Sequence, residues 1–142
     1  MKISTRGRYA LRVMIDLADH QSEGYIPLQS VAERQGISNK YIENIMVELS
    51  KAKIVDAKHG KGGGYKLSKN PEDYTVAEIL KITEGDLAPV ECLSPSAPPC
   101  DKSANCKTLA MWEEFNRLID GFFSKITIKD LSSSPQVYDY II

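Results

Sequence analysis

Between Ala32 and Ile42 the chain carries the pattern that most constrains its fold: a small residue, then Gly36, then an aliphatic residue in the following segment. Ala32 lets two helices approach closely, Gly36 turns the chain sharply, and Ile42 packs the second helix onto the first, which together specify a helix-turn-helix. The flanking residues agree. Pro27 suits the first turn of a short helix that ends at Gln35, and Gly36 can take the left-handed conformation that closes it. Ser38 can cap the next helix, Asn39 to about Ala52, whose apolar stripe is Ile42, Ile45, Met46 and Leu49. Ahead of this pair, Ser4 can cap a helix from Thr5 to about His20, with Ala10, Val13, Met14, Leu17 and Ala18 at helical spacing.

A hairpin follows directly. Ile54-Val55 and Tyr65-Lys66-Leu67 are short β-prone segments, and between them lies Lys58-His59-Gly60-Lys61-Gly62-Gly63-Gly64. The predicted fold class is therefore mainly α with a small β-hairpin: a winged helix-turn-helix over residues 1–70, and a second segment, 71–142, holding a cysteine loop, a dimerisation helix and a tail. In that second segment Thr75-Val76-Ala77-Glu78 is a capping box for a helix to about Glu84, stopped by Gly85, and a Pro- and Ser-rich loop runs from Asp86 to Asn105. A long helix is expected from about Cys106 to about Lys125, loaded with Leu109, Trp112, Phe115, Ile119, Phe122 and Phe123, with Ile126 just beyond. Trp112, Ile119, Phe122 and Phe123 are too many large apolar groups for one exposed helix, so a homodimer is expected. Thr127 can cap a last turn, Ile128 to Leu131, before the apolar tail Val137 to Ile142.

Charge supports a polyanion partner. Residues 1–69 hold twelve Lys/Arg against seven Asp/Glu, net +5, while residues 70–142 hold six against twelve, net −6. Lys and Arg release counterions when they meet phosphates, so the basic half is the half that would meet DNA. A helix-turn-helix offers the N-terminal side chains of its second helix to the major groove. Here the candidates are Ser38, Asn39, Lys40, Tyr41, Glu43 and Asn44; Asn can bond adenine and Glu can accept from cytosine N4. Lys2, Ser4, Thr5, Arg6, Arg8 and Tyr9 at the start of the first helix are further candidate DNA contacts. In the hairpin, Lys58, His59, Lys61, Gly62 and Gly63 can follow a minor groove. A glycine-rich basic loop can instead cradle a nucleotide, but that requires a following helix, and this loop returns to a strand. No stretch is apolar for long enough to span a bilayer and no apolar signal core follows Met1, so a cytoplasmic protein without membrane contact is expected.

Cys92, Cys100 and Cys106 are the chain's three cysteines and fall in one segment. Without a signal peptide, an odd number points to metal or redox chemistry rather than a secreted disulfide framework. The flexible Pro/Ser chain between them lets the thiols converge on an iron–sulfur cluster or a zinc ion; three unconnected thiols, or a Cys100–Cys106 disulfide formed in air, are the competing readings. A thiol-redox enzyme is disfavoured, because there is no Cys-x-x-Cys, no nearby His and no cofactor fingerprint.

The segments Met1 to Ala10, Val31 to Ser38, Tyr41-Ile42-Glu43, Gly60 to Tyr65 and Cys106 to Trp112 resemble, over essentially the whole chain, the IscR/NsrR/CymR family of bacterial winged-helix transcriptional regulators. The resemblance implies a non-enzymatic regulator: a homodimer, joined through its long C-terminal helix, that binds a near-palindromic operator on double-stranded DNA. It also implies a cluster, 2Fe-2S or 4Fe-4S, on Cys92, Cys100 and Cys106, and a repressor role. Two departures stand out. Relatives often carry Arg where this wing has His59, and the His ligand expected three residues after the last cysteine is replaced by Leu109. The fourth ligand is left open among Glu91, Asp101, a group from the partner subunit and a small molecule; Arg8 cannot ligate. CymR-like members, whose tails resemble Val137 to Ile142, imply the alternative: a cluster-free regulator of cysteine and sulfur metabolism controlled by a metabolite or a sulfur-metabolism enzyme.

Overall fold

Caps fix the helices of the N-terminal half. Ser4 Oγ accepts the Gly7 N–H at 3.1 Å and opens α1, Thr5–Asp19. α2, Leu28–Gln35, follows Pro27 and stops at Gly36, at φ 64° and ψ 35°. Ser38 Oγ accepts the Tyr41 N–H at 3.2 Å and opens α3, Asn39–Lys51. Each such cap satisfies a donor the helix cannot pair internally, a stabilisation of about 1 kcal/mol. α3 ends in a Schellman turn: the Ile54 N–H donates to the Leu49 carbonyl at 3.2 Å and the Lys53 N–H to the Ser50 carbonyl at 3.0 Å. Lys53 holds the left-handed position, φ 60°, where glycine is usual.

The computed structural model describes residues 1–133. β1, Val55–Lys58, pairs antiparallel with β2, Gly64–Leu67, in the register Val55↔Leu67 to Lys58↔Gly64. Ile26, which the sequence places in a loop, adds a bridge to this ribbon. Its N–H donates to the Tyr65 carbonyl and its carbonyl accepts the Tyr65 N–H, both at 2.9 Å. Gly64 permits that approach, because a Cβ there would lie 2.1 Å from the Ile26 carbonyl oxygen.

Thr75 caps α4, Val76–Glu84, by accepting the Glu78 N–H at 3.1 Å. α5 spans Leu109–Ser124, and α6, Ile128–Ser133, opens on a reciprocal box between Thr127 and Asp130. The expected start of α5 at Cys106 is corrected: a 3-10 turn at Ser103–Asn105 leads into Cys106 in extended geometry, φ −77° and ψ 110°, and the helix begins three residues later. The tail Val137 to Ile142 lies outside the described residues. No described helix is long and apolar enough to cross a membrane.

One core unites the two segments. Val13, Met14, Leu17, Ile42, Ile45, Met46 and Leu49 pack with Tyr74, Ile79 and Ile128. The Tyr74 hydroxyl donates to the Ile54 carbonyl and accepts the Lys69 N–H, each at 2.7 Å, which ties the base of the hairpin to the start of α4. Burial pushes the Tyr74 phenol above its usual range. A smaller cluster of Val76, Leu80, Leu87 and Ile119, with Phe123 and Ile126 against it, seats α5 on α4.

α1 and α2 are joined by the one buried charge described, Asp16. It accepts from Arg34 Nε at 3.0 Å, Arg34 Nη2 at 2.6 Å and Gln35 Nε2 at 2.9 Å. Arg12 in turn donates to the Gln35 side chain and carbonyl. The turn at Gly36 is thus anchored immediately before the recognition helix begins.

Candidate nucleic-acid interface and cysteine loop

Asn39, Lys40, Glu43 and Asn44 are all exposed on the first turns of α3, with no hydrogen bond among the described residues assigned to their side chains. The start of α1 is held beside them: the Tyr9 and Tyr41 rings meet edge to face at 5.5 Å, and Arg6 Nη1 donates to Glu48 Oε1 at 2.8 Å. Arg12 lies over the Tyr9 ring at 5.2 Å. Tyr9 and Tyr41 are half-buried, and their packed rings help set the spacing of α1 against α3. Lys2 and Arg8 are exposed, and Arg8 donates to Thr5 Oγ1 at 3.0 Å.

Ser4 has a different position from that of a free donor. Its N–H and its hydroxyl both donate to Glu84 Oε1, at 3.1 and 2.6 Å, while its Oγ caps α1. Ser38 Oγ likewise accepts the α3 cap bond, which leaves its hydroxyl hydrogen available.

The hairpin tip is exposed at Lys58, His59, Lys61 and Gly62, and Gly63 is half-buried. Gly60 and Gly62 take positive φ, 86° and 73°, and Gly63 allows its backbone to close on Lys58, whose carbonyl oxygen would meet a Cβ at 2.2 Å. Tyr25 and Lys66 join the wing, a pairing that local sequence patterns do not reveal. The Tyr25 ring receives Lys66 Nζ at 4.7 Å and Lys58 Nζ at 5.7 Å from its centroid, which gathers two wing cations on one aromatic support. The signal was present as an aromatic residue before Pro27, but its partners lie some thirty to forty positions away, beyond the reach of periodicity (roughly one helix or hairpin in length).

Cys92, Cys100 and Cys106 are free and exposed. Their expected convergence is corrected in part. Cys92 and Cys100 line one cavity of about 380 Å³ with Glu91 and Asp101, and Cys106 lies outside that lining. Cys106 follows a 3-10 turn at Ser103–Asn105, and its Sγ stands 3.4 Å from Thr108 Oγ1. That contact and nearby backbone N–H groups lower the Cys106 pKa, favouring thiolate. Among the described residues no three His, Cys, Asp or Glu side chains are gathered as a metal site. As a donor set, three accessible thiols in one loop suit a soft-metal cluster.

α5 divides into two faces. Ile119 is buried and Phe123 packs beside it, whereas Met111, Phe115, Leu118 and Phe122 are exposed, Leu118 by 60%. Of the four residues expected to need a partner helix, Ile119 and Phe123 face the chain's own core, because α4 and Leu87 cover that side, whereas Phe122 is exposed and Trp112 half-buried. The exposed four recur at i, i+4, i+7 and i+11, the spacing of a single helix stripe.

A capped helix-turn-helix, an exposed recognition helix and a basic glycine-rich hairpin define a winged-helix DNA-binding regulator. The Rrf2 family, described as iron-dependent transcriptional regulators, matches residues 3–134, and the chain belongs to that family. It is 34% identical over 139 residues to the HTH-type transcriptional regulator IscR of Photorhabdus laumondii, covering 98% of this chain and 84% of that protein. Among solved structures, T. potens IscR shares 33% identity at TM-score 0.75, over 99% of this chain and 96% of the other. CymR, described as the global cysteine regulator of B. subtilis, shares 32% at TM-score 0.76, over 94% and 97%. The relatives are transcriptional regulators, and this chain is a regulator rather than an enzyme.

Proposed function

We propose that the chain is a cytoplasmic homodimeric repressor that binds a near-palindromic operator and whose affinity for it is set by an iron–sulfur cluster on Cys92, Cys100 and Cys106. The observation that supports the cluster reading is that all three exposed, unbridged thiols fall between α4 and α5, two of them on a common cavity wall. When bound, the cluster would supply a redox- and iron-sensitive link across that loop. Asn39, Lys40, Tyr41, Glu43 and Asn44 would read bases. Lys2, Thr5, Arg6 and Arg8 would meet phosphates, and Lys58, His59, Lys61, Gly62 and Gly63 the minor groove. The second subunit would cover Met111, Phe115, Leu118 and Phe122 of α5, uniting two reading heads.

Anaerobic reconstitution with iron and sulfide tests this. The wild-type protein should develop visible absorption bands, most of which disappear when any one of the three cysteines is changed to Ala, and its DNA-shift behaviour should differ with and without the cluster. The similarity to CymR supports a second reading, a cluster-free regulator controlled by a sulfur-metabolism enzyme or metabolite. It predicts colourless protein after the same treatment and DNA binding indifferent to the three substitutions.

A further inference from the structure

The contact between Ser4 and Glu84 joins the ends of two segments with different tasks. Glu84 is the last residue of α4, and its Oε1 takes both donors of the residue that caps α1. An anion at that place also faces the positive end of the α1 dipole. The sequence makes room for it. A Cβ at Gly7 would lie 2.3 Å from the same Glu84 Oε1 and 3.3 Å from Glu84 Cδ, so the carboxylate rests on the first turn of α1 where a side chain is missing. Gly7 lies within α1 and does not take positive φ, so no left-handed turn requires glycine there. Its glycine is explained by the carboxylate, since alanine is otherwise the better helix former.

On the other side of Glu84 the chain runs straight into the cysteine loop. Gly85, at φ 87°, ends α4. Asp86 then accepts the Ser94 hydroxyl at 2.6 Å and the Ala88 N–H at 2.9 Å, which holds its carboxyl below the usual carboxylate range. Ser94 stands two residues from Cys92. Met1, Lys2 and Ile3 line a pocket with Glu84, Asp86, Leu87 and Ala88, so the N-terminal residues that lead into α1 lie against this same segment.

We infer that Glu84 is a positioning residue for DNA binding: its hydrogen bonds to Ser4 carry the state of the cysteine loop, through Gly85 and Asp86, to the DNA-facing start of α1. The inference deepens the reading of that loop as the sensor. Glu84 touches no DNA itself; it sets where Lys2, Thr5, Arg6 and Arg8 stand. Coupling between two sites is reciprocal, so DNA bound at one end must alter the loop at the other. That reciprocity gives a test without any cluster.

Cluster-free full-length protein is treated with iodoacetamide, with and without a saturating DNA fragment that the wild type has selected from a random library. The rate of Cys92 modification is read by mass spectrometry of its peptide. Where the loop exchanges faster than it is alkylated, the rate tracks the population of its reactive conformation, and in the wild type it should change about twofold or more on DNA binding, a coupling free energy of about 0.4 kcal/mol or above. In Glu84→Ala the ratio of the two rates should return to about 1, the value for no coupling. Gly7→Ala should do the same by displacing the carboxylate, and its urea midpoint checks separately that the variant is folded. Glu84→Gln keeps an oxygen acceptor for Ser4 and should retain the response. A wild-type ratio of 1 would overturn the inference. So would an unchanged response in Glu84→Ala and Gly7→Ala, since mere shielding of Cys92 by DNA would persist in both. Absorption after reconstitution reports separately on the cluster: colourless protein whose Cys92 rate still responds through Glu84 would sink the cluster and leave this coupling in place.

Discussion

Removing the Asp16 carboxylate should destabilise the protein by about 2–3 kcal/mol, and the structure sets that figure. The side chain is 2% exposed and holds three donors, two of them from one guanidinium. Breaking a fully buried ion pair costs about 3–5 kcal/mol because the surviving charge is stranded. Here the survivor is Arg34, whose side chain is 35% exposed and can be rehydrated, so Asp16→Ala should fall below that range. It should still exceed the ~0–1 kcal/mol of a surface pair, since Asp16 itself is desolvated and Gln35 loses its acceptor. Urea unfolding followed by circular dichroism would lower the midpoint by about 1–2 M for an ordinary dependence on denaturant. A double-mutant cycle with Arg34→Ala should return a coupling of about 1–2 kcal/mol. A loss under about 1 kcal/mol with no coupling would refute the claim that this network anchors the turn before α3.

Four further outcomes are expected. Tyr74→Phe should lose about 1–2 kcal/mol, from one buried and one part-buried hydrogen bond. Because the folded-state pKa of Tyr74 is raised, its contribution is complete below the unfolded value near ~10 and is lost as pH rises through the folded one; alkaline urea titrations should show a falling limb that Tyr74→Phe flattens. Lys53→Gly should stabilise by about 0.5–1 kcal/mol by relieving the left-handed backbone at φ 60°, measurable as a raised urea midpoint. Glu43→Ala should change which operators are selected, at about 1–3 kcal/mol per affected base, whereas Arg8→Ala should weaken all sequences alike and flatten the salt dependence; identical profiles across an operator library would refute that division. Phe115→Glu with Leu118→Glu should yield monomers by light scattering where the wild type is dimeric, each buried side chain being worth about 1.5–3 kcal/mol; a wild-type monomer at micromolar concentration would remove the dimer from the proposal.

The sequence by itself determined the local features. Ser4, Ser38 and Thr75 start helices, Gly36 ends one, and Gly60 with Gly62 turns the wing, because caps and turns depend on residues three or four positions apart. The same locality made the DNA-reading candidates on α3 legible: a capped helix directly after a Gly turn has its first side chains free. Tertiary structure decided what periodicity cannot carry. The apolar content of α5 announced a helix wanted on more than one side, but only the packing of α4 and Leu87 assigned Ile119 and Phe123 to the core and left Phe115 and Leu118 exposed. Cys106 was close in sequence to the other thiols, yet it follows a 3-10 turn, contacts Thr108 and does not line the cavity of Cys92 and Cys100. Ser4 and Glu84 stand 80 residues apart, and Asp16 and Arg34 stand 18 apart. Nothing in the spacing of either pair identifies its partner, because such contacts form only when the burial of apolar faces brings distant helices together, and the polar groups then pair with whatever that packing places within reach.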